Sequence, residues 1–494
     1  MARRMQGMLA GIATGIALAL TAPAGAELSQ PVTSTHHLTA GGKSLSIMAE
    51  VGTVPVGHQP GKPDATAGYI AYRLRAKAPK DRPVLFIFNG GPGSASSLLH
   101  MGAFGPMRVT VPQDPTAPVP DAGALVANDA LLLDIADLVF IDPPGTGFSR
   151  IQDGADPAFY SSAAGDAEAN AQLVRAWLVN NGRADAPAYL LGESYGTIRA
   201  AAMVDPLRQG QPAIRLKGVM LLGQALNMVE TAQRPDNILS YTVSLPTLAA
   251  IACYHGKATP RACDPDRIAD EAASFAKTDY LAALVQGRDL GEAEKARIAD
   301  RLEALTGISA DFYRAHDLRI SKERFRVELL RAEGKVIGRY DARYTAPRPA
   351  DAGPTVGPDA FTPVSNLYGK AIQTYLADRL KVPDAADYRV LVRPTGEWDY
   401  GGAPSPFTDW PFMAPVEAAM RDDPEFRLFV GTGLYDLTTT IGAADYLRAQ
   451  STGPADRMMF TRYAAGHVAY SDDASWRQFL ADVRHFLTAP KDKP

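Results

Sequence analysis

The sequence predicts an α/β fold: a mostly parallel central sheet, split by a large and mainly helical inserted cap. Three observations carry this. Residues 83–88, 136–141 and 218–222 are short, continuous apolar runs, as strands covered on both faces require. Between them lie helix-compatible stretches, and strands alternating with helices imply parallel crossovers. The alternation stops near residue 229 and resumes near 426. The predicted organisation is therefore a signal segment at 1–26, a first core part at 27–228, the inserted cap at 229–425 and a second core part at 426–494.

In chain order, Arg3 and Arg4 give a basic end, residues 8–20 an apolar stretch too short to span comfortably, and Ala24, Gly25 and Ala26 a small-residue cleavage site. This reads as a signal for general secretion, and the mature chain is expected to be periplasmic or secreted, with no stable membrane association. Residues 43–56 and 67–76 alternate apolar and polar residues and open the sheet as half-buried antiparallel strands. The buried runs 83–88 and 136–141 each end in a Gly-rich loop, the first holding Asn89, Gly90, Gly91, Pro92 and Gly93. Residues 163–180 form an amphipathic helix, with Leu173, Val174, Trp177 and Leu178 on one side. Helical patterns at 293–305 and 321–333 lie in the insertion, between proline-rich connectors. Strands at 426–430 and 458–461 and a helix at 475–487 close the core.

The chain has 494 residues, a net charge of −4, 46% hydrophobic and 21% charged residues, and no Lys/Arg run, which disfavours nucleic acid as a partner. No metal-ligand pattern or cofactor motif is present. Cys253 and Cys263 are the whole cysteine supply, and in an oxidising compartment they are expected to form one local disulfide.

The apolar run at 189–191 leads into Gly192, Glu193, Ser194, Tyr195 and Gly196, a G-x-S-x-G pattern with a strand before it and a helix-compatible run after it. That context suits a nucleophile held on a sharp strand-to-helix turn. A serine hydroxyl needs a base, and the base a carboxylate to orient it. Of the eight histidines, His467 alone sits in a loop between the last strand and the last helix. His100 follows the Gly-rich loop, but no strand aims it. Asp436 follows the preceding strand. Catalytic groups in open α/β sheets gather beyond the carboxyl ends of strands. Ser194, Asp436 and His467 all have that address, in the chain order of an α/β-hydrolase triad. The amide of Tyr195 and one from the loop 90–93 would form the oxyanion hole.

With these pieces in place, the chain resembles the serine carboxypeptidase family of α/β-hydrolases. The resemblance rests on residues 89–97, 142–149 and 192–196 together with the Asp436 and His467 loops, and residues 98–106 and 253–257 resemble its bacterial branch. It implies removal of the C-terminal residue from peptides with a free C-terminus, through an acyl-enzyme on Ser194. It also implies oxyanion amides from Gly91 and Tyr195, and a substrate-carboxylate site at Asn89, Gly90 and Glu193. Two acids in contact must share a proton, so binding there favours acidic pH. The chain departs from the family pattern at Ile87, where a Trp is common, at Ala103, where a second Glu is common, and at Val468, where a Met is usual. Other readings of the same triad are an esterase or acyltransferase, and a non-catalytic peptide-binding relative.

Overall fold

The computed structural model describes residues 28 and 30–488, apart from 60, 77–78, 227–232, 350–358, 395 and 402–411. The signal segment at 1–26 and much of both proline-rich connectors lie outside the described residues. Nine strands form one sheet: β1 (Val32–Ala40), β2 (Lys43–Val56), β3 (Ala65–Leu74), β4 (Val84–Phe88), β5 (Asp137–Asp142), β6 (Ala188–Glu193), β7 (Leu216–Leu222), β8 (Arg427–Gly433) and β9 (Met458–Tyr463). Their order across the sheet is β1-β2-β3-β5-β4-β6-β7-β8-β9. The first three run antiparallel, and β5 to β9 pair in parallel. The alternating stretches thus open the sheet as antiparallel strands, with one addition. β1 carries His36, His37 and Thr39 on an edge, and this polar composition hid it from a search for apolar runs.

Continuous apolar runs are needed because each central strand feeds two cores. In β4, Leu85 and Ile87 point into one apolar cluster, while Val84, Phe86 and Phe88 point into the other. The helix Ala163–Asn180 covers the second face, started by Ser162, whose Oγ accepts from the Gly165 amide at 3.1 Å. The helix Asp473–Thr488 covers the first face with Trp476, Phe479, Leu480, Val483 and Phe486, spaced three and four residues apart.

The stretch between Leu222 and Arg427 packs in two ways. Helices Ile238–Tyr254, Pro265–Phe275 and Glu292–Thr306 enclose a further apolar cluster, which also takes in Ala342 and, from the loop after β8, Leu434, Tyr435 and Leu437. The helices Thr362–Asp378 and Met413–Asp422 instead join the two cores of the sheet, one on each face. Cys253, in the last turn of the helix Ile238–Tyr254, is disulfide-bonded to Cys263, just before the helix Pro265–Phe275. No helix among the described residues is long and apolar enough to cross a membrane.

Candidate active site

β6 delivers Ser194 into a turn that only a particular sequence allows. Ser194 has φ 59° and ψ −127°, a strained conformation for a residue with a side chain. A Cβ at Gly192 would lie 2.1 Å from the Gly196 carbonyl oxygen, so glycine is required there. The turn is pinned from both sides. The Ser194 amide donates to Leu222 O at the end of β7 (2.9 Å), and Thr197 Oγ1 donates to Ser194 O (2.6 Å). Below it, Arg199 donates to the Asn89 carbonyl (2.8 Å) and pairs with buried Asp166 (2.8 Å), clamping the elbow helix to the Asn89 loop.

That loop passes directly over the elbow. A Cβ at Gly90 would sit 2.6 Å from the Tyr195 nitrogen and 2.6 Å from the Glu193 oxygen. Gly91 and Gly93 have φ of +106° and +88°, which side-chain-bearing residues rarely adopt. The loop after β4 and the amide of Tyr195 are therefore brought together.

The loops after β8 and β9 bring Asp436 and His467 together in full burial, with Asp436 Oδ2 2.7 Å from His467 Nδ1. Asp436 also accepts from the amides of Thr438 (2.6 Å) and Thr439 (3.0 Å) and from Thr439 Oγ1 (2.5 Å). A carboxylate only accepts, so Nδ1 carries the proton and Nε2 is the free base. Nε2 has no hydrogen-bond partner among the described residues. The ring lies against Gly223, where a Cβ would be 3.1 Å from its Cε1, and Gly223 follows the Leu222 carbonyl that holds Ser194. Burial pulls the imidazole pKa down, but the Asp436 carboxylate, helped by Glu193 and Asp359, reverses this and raises it above its ordinary value.

Glu193 precedes the nucleophile and is buried beside Asn89. The amide of Leu99 donates to Asn89 Oδ1 at 3.1 Å, while Asn89 Nδ2 lies beside Glu193 without a hydrogen bond of good geometry. Burial pushes the Glu193 carboxyl up to about 7, against the opposing pull of His467, Tyr470 and Asn89. His100 is far from this chemistry in character. It is buried, bonded to Tyr72 Oη at 2.8 Å and packed on Phe140, and burial lowers its pKa to about 3. Asp142, from the second Gly-rich motif, accepts from the Ser96 amide and from Tyr388 Oη, both at 2.9 Å, and so braces the loop.

Several site residues were not found in the sequence. The segment 339–343 ties the two catalytic-loop candidates together. The Leu437 amide donates to Arg339 O (3.1 Å), the His467 amide to Tyr340 O (2.5 Å) and the Ala342 amide to Tyr435 O (3.0 Å). The Tyr340 ring lies 4.8 Å from that of His467. Lys322 reaches the same place, donating to Thr438 O at 3.0 Å. Tyr470 donates to Glu193 Oε2 at 2.6 Å. Only Tyr470 carried a local signal, since it lies three residues after His467.

Residues 64–249 match the family model described as serine carboxypeptidase. This stretch holds Asn89, Gly90, Gly91, Glu193, Ser194 and Tyr195, while Asp436 and His467 lie beyond it. The crystal structure of Kex1, a prohormone-processing carboxypeptidase from Saccharomyces cerevisiae, matches with a TM-score of 0.51 and 14% identity, over 89% of this chain and 91% of that one. This likeness shows a shared α/β-hydrolase fold. A proline iminopeptidase from Mycobacterium smegmatis matches at a TM-score of 0.35 and 14% identity, over 88% and 97% of the two chains.

Proposed function

We propose that this chain, a hydrolase of the serine carboxypeptidase family, removes the C-terminal residue of peptides through an acyl-enzyme on Ser194. Ser194 Oγ attacks the last peptide carbonyl and its proton passes to His467 Nε2. The amides of Tyr195 and Gly91 hold the oxyanion. His467 then gives the proton to the departing amine, and the C–N bond breaks. Water, activated by the same imidazole, hydrolyses the ester and restores Ser194. Asp436 orients the ring and stabilises the imidazolium throughout.

The observation that carries the reading is Glu193 with Asn89. A buried carboxyl whose pKa is raised to about 7 stands one residue before the nucleophile, and beside it is the Asn89 amide nitrogen, without a hydrogen-bond partner among the described residues. A substrate carboxylate would accept from both, provided Glu193 is protonated. Below about pH 7 Glu193 holds that proton; above it, two anions face each other and binding weakens. His467 must be neutral to act as base, so its raised pKa sets the acidic limb. We place the enzyme outside the cytoplasm, on the basic, apolar and small-residue pattern of residues 1–26.

Mass spectrometry of products from peptides with free and amidated C-termini, from acidic to mildly alkaline pH, tests this. Free peptides should lose single C-terminal residues, and amidation should raise KM and slow turnover sharply below neutral pH. Equal turnover of both forms would make the chain a general hydrolase instead. Ser194→Ala should lower kcat by about 10⁴-fold or more and abolish fluorophosphonate labelling while the protein stays folded.

A further inference from the structure

We propose that Tyr470 is a positioning residue for substrate binding: its hydroxyl donates to Glu193 Oε2, so the Glu193 proton resides on Oε1 and faces the substrate carboxylate. This rests on the reading of Asn89 and Glu193 as the carboxylate-binding pair.

The contact is built rather than incidental. Tyr470 and Glu193 are both buried, and the hydrogen bond between them is 2.6 Å. Space for the ring is made by Gly102, where a Cβ would fall 2.4 Å from Tyr470 Cδ2 and 2.9 Å from Tyr368 Cε1. The neighbouring Ala103 is buried and has no polar group with which to hold Glu193. Tyr368 stands edge-on to Tyr470 at 6.1 Å and closes the other side. A side chain at position 102 would require the tyrosine ring or the backbone to shift.

A neutral carboxyl has one oxygen that donates and one that only accepts. The Tyr470 hydroxyl occupies the accepting oxygen, so the proton is directed to the other. Tyr470 itself stays neutral, because burial, then the charge and hydrogen bond of Glu193, raise its pKa well above the ordinary value. The site gains a donor without gaining an anion, which a second carboxyl in its place would supply. The other groups facing Glu193 are His467 and Asp436 from the loops after β9 and β8, Tyr340, Tyr368 and Asn89. Among these, Tyr470 makes a hydrogen bond of good geometry to Glu193, and that bond favours the ionised form.

Removing the Tyr470 donor takes away more from the carboxylate than from the neutral acid. In Tyr470→Phe the pH above which KM rises for a free-carboxylate peptide should therefore move upward by about half to one unit. KM below that pH should increase a few-fold, because the proton is no longer confined to Oε1. The experiment measures KM and kcat separately from pH 5 to 9 for a peptide and its C-terminal amide, in wild type, Tyr470→Phe, Glu193→Gln and the double variant. In Glu193→Gln the limb should vanish, and adding Tyr470→Phe should not restore or move one. A wild-type limb left in place by Tyr470→Phe, or a loss of the same factor at every pH for both substrates, would overturn the proposal. If wild type fails to distinguish peptide from amide at any pH, the carboxylate-binding reading itself fails, and the proposal with it.

Discussion

The loops after β8 and β9 and the segment 339–343 meet at the same point and are built in opposite ways. In the loops, Thr438 and Thr439 hold the Asp436 carboxylate, which in turn holds the His467 ring. The segment contributes the backbone carbonyls that accept from Leu437 and His467, together with the Asp341 carboxylate, whose Oδ2 accepts from the Gly466 amide (3.2 Å). Asp359 holds it in turn, accepting from the amides of Arg339 and Tyr340 at 3.0 Å. The difference separates chemistry from placement. Strand ends supply the candidate reacting groups, and a stretch about a hundred residues earlier fixes how the two loops sit against each other.

The largest effect should come from the strand-end side. Asp436→Asn keeps the shape and the threonine contacts but offers an amide to His467 Nδ1, so the imidazole turns to the wrong tautomer. The expected loss in kcat is about 10⁴-fold, with little change in KM or melting temperature. Steady-state kinetics beside a thermal melt checks this. A loss below tenfold would mean that the segment 339–343, rather than Asp436, holds the ring.

The same division explains what could be read from the sequence. Ser194, Asp436 and His467 are legible as candidates because each follows a strand that opens as an apolar run, buried in β6 and β8 and half-buried at the sheet edge in β9. Gly90 and Gly91 were visible because close backbone approach demands glycine. Lys322 and Tyr340 had no such mark. A lysine opening a helix reads as a solvated residue, and a backbone carbonyl that clamps a loop has no residue type at all. The helix Thr362–Asp378 was assigned to an inserted cap because it follows the interruption in chain order, whereas its Val364, Leu367 and Ile372 pack on the sheet. Sequence order records continuity, and packing follows apolar faces.

Lys322 tests the placement side at intermediate size. Burial lowers its pKa to about 8, opposed by Asp436 and Glu323, so it is a cation below that pH and neutral above it. That cation weakens the pull of Asp436 on the imidazolium. Lys322→Met keeps the aliphatic stem and removes the charge, so His467 should hold its proton to higher pH. The acidic limb of kcat/KM should shift upward by less than about one unit, a loss of up to tenfold on that limb and little at alkaline pH. A substrate lacking a free carboxylate isolates this from Glu193. An unmoved limb would confine Lys322 to docking its helix on Thr438.

The smallest effect on turnover should come from the disulfide, although its effect on stability is not small. Cys253–Cys263 closes a short loop between two helices of the insertion's apolar cluster. Losing such a link costs about 2–3 kcal/mol through the unfolded chain's entropy. A hydrogen bond ties it to the clamping segment through His255, two residues on, whose Nε2 lies 2.7 Å from Ala342 O. The Leu437, His467 and Asp359 bonds to that segment do not pass through these helices. Replacing both cysteines with serine should therefore lower the melting temperature by several degrees and leave kcat/KM at 25 °C within about twofold. If activity fell more than tenfold while the sheet stayed folded, the insertion's apolar cluster and the clamp would be one cooperative unit. Placement would then depend on the stability of the whole insertion rather than on the few bonds made by 339–343.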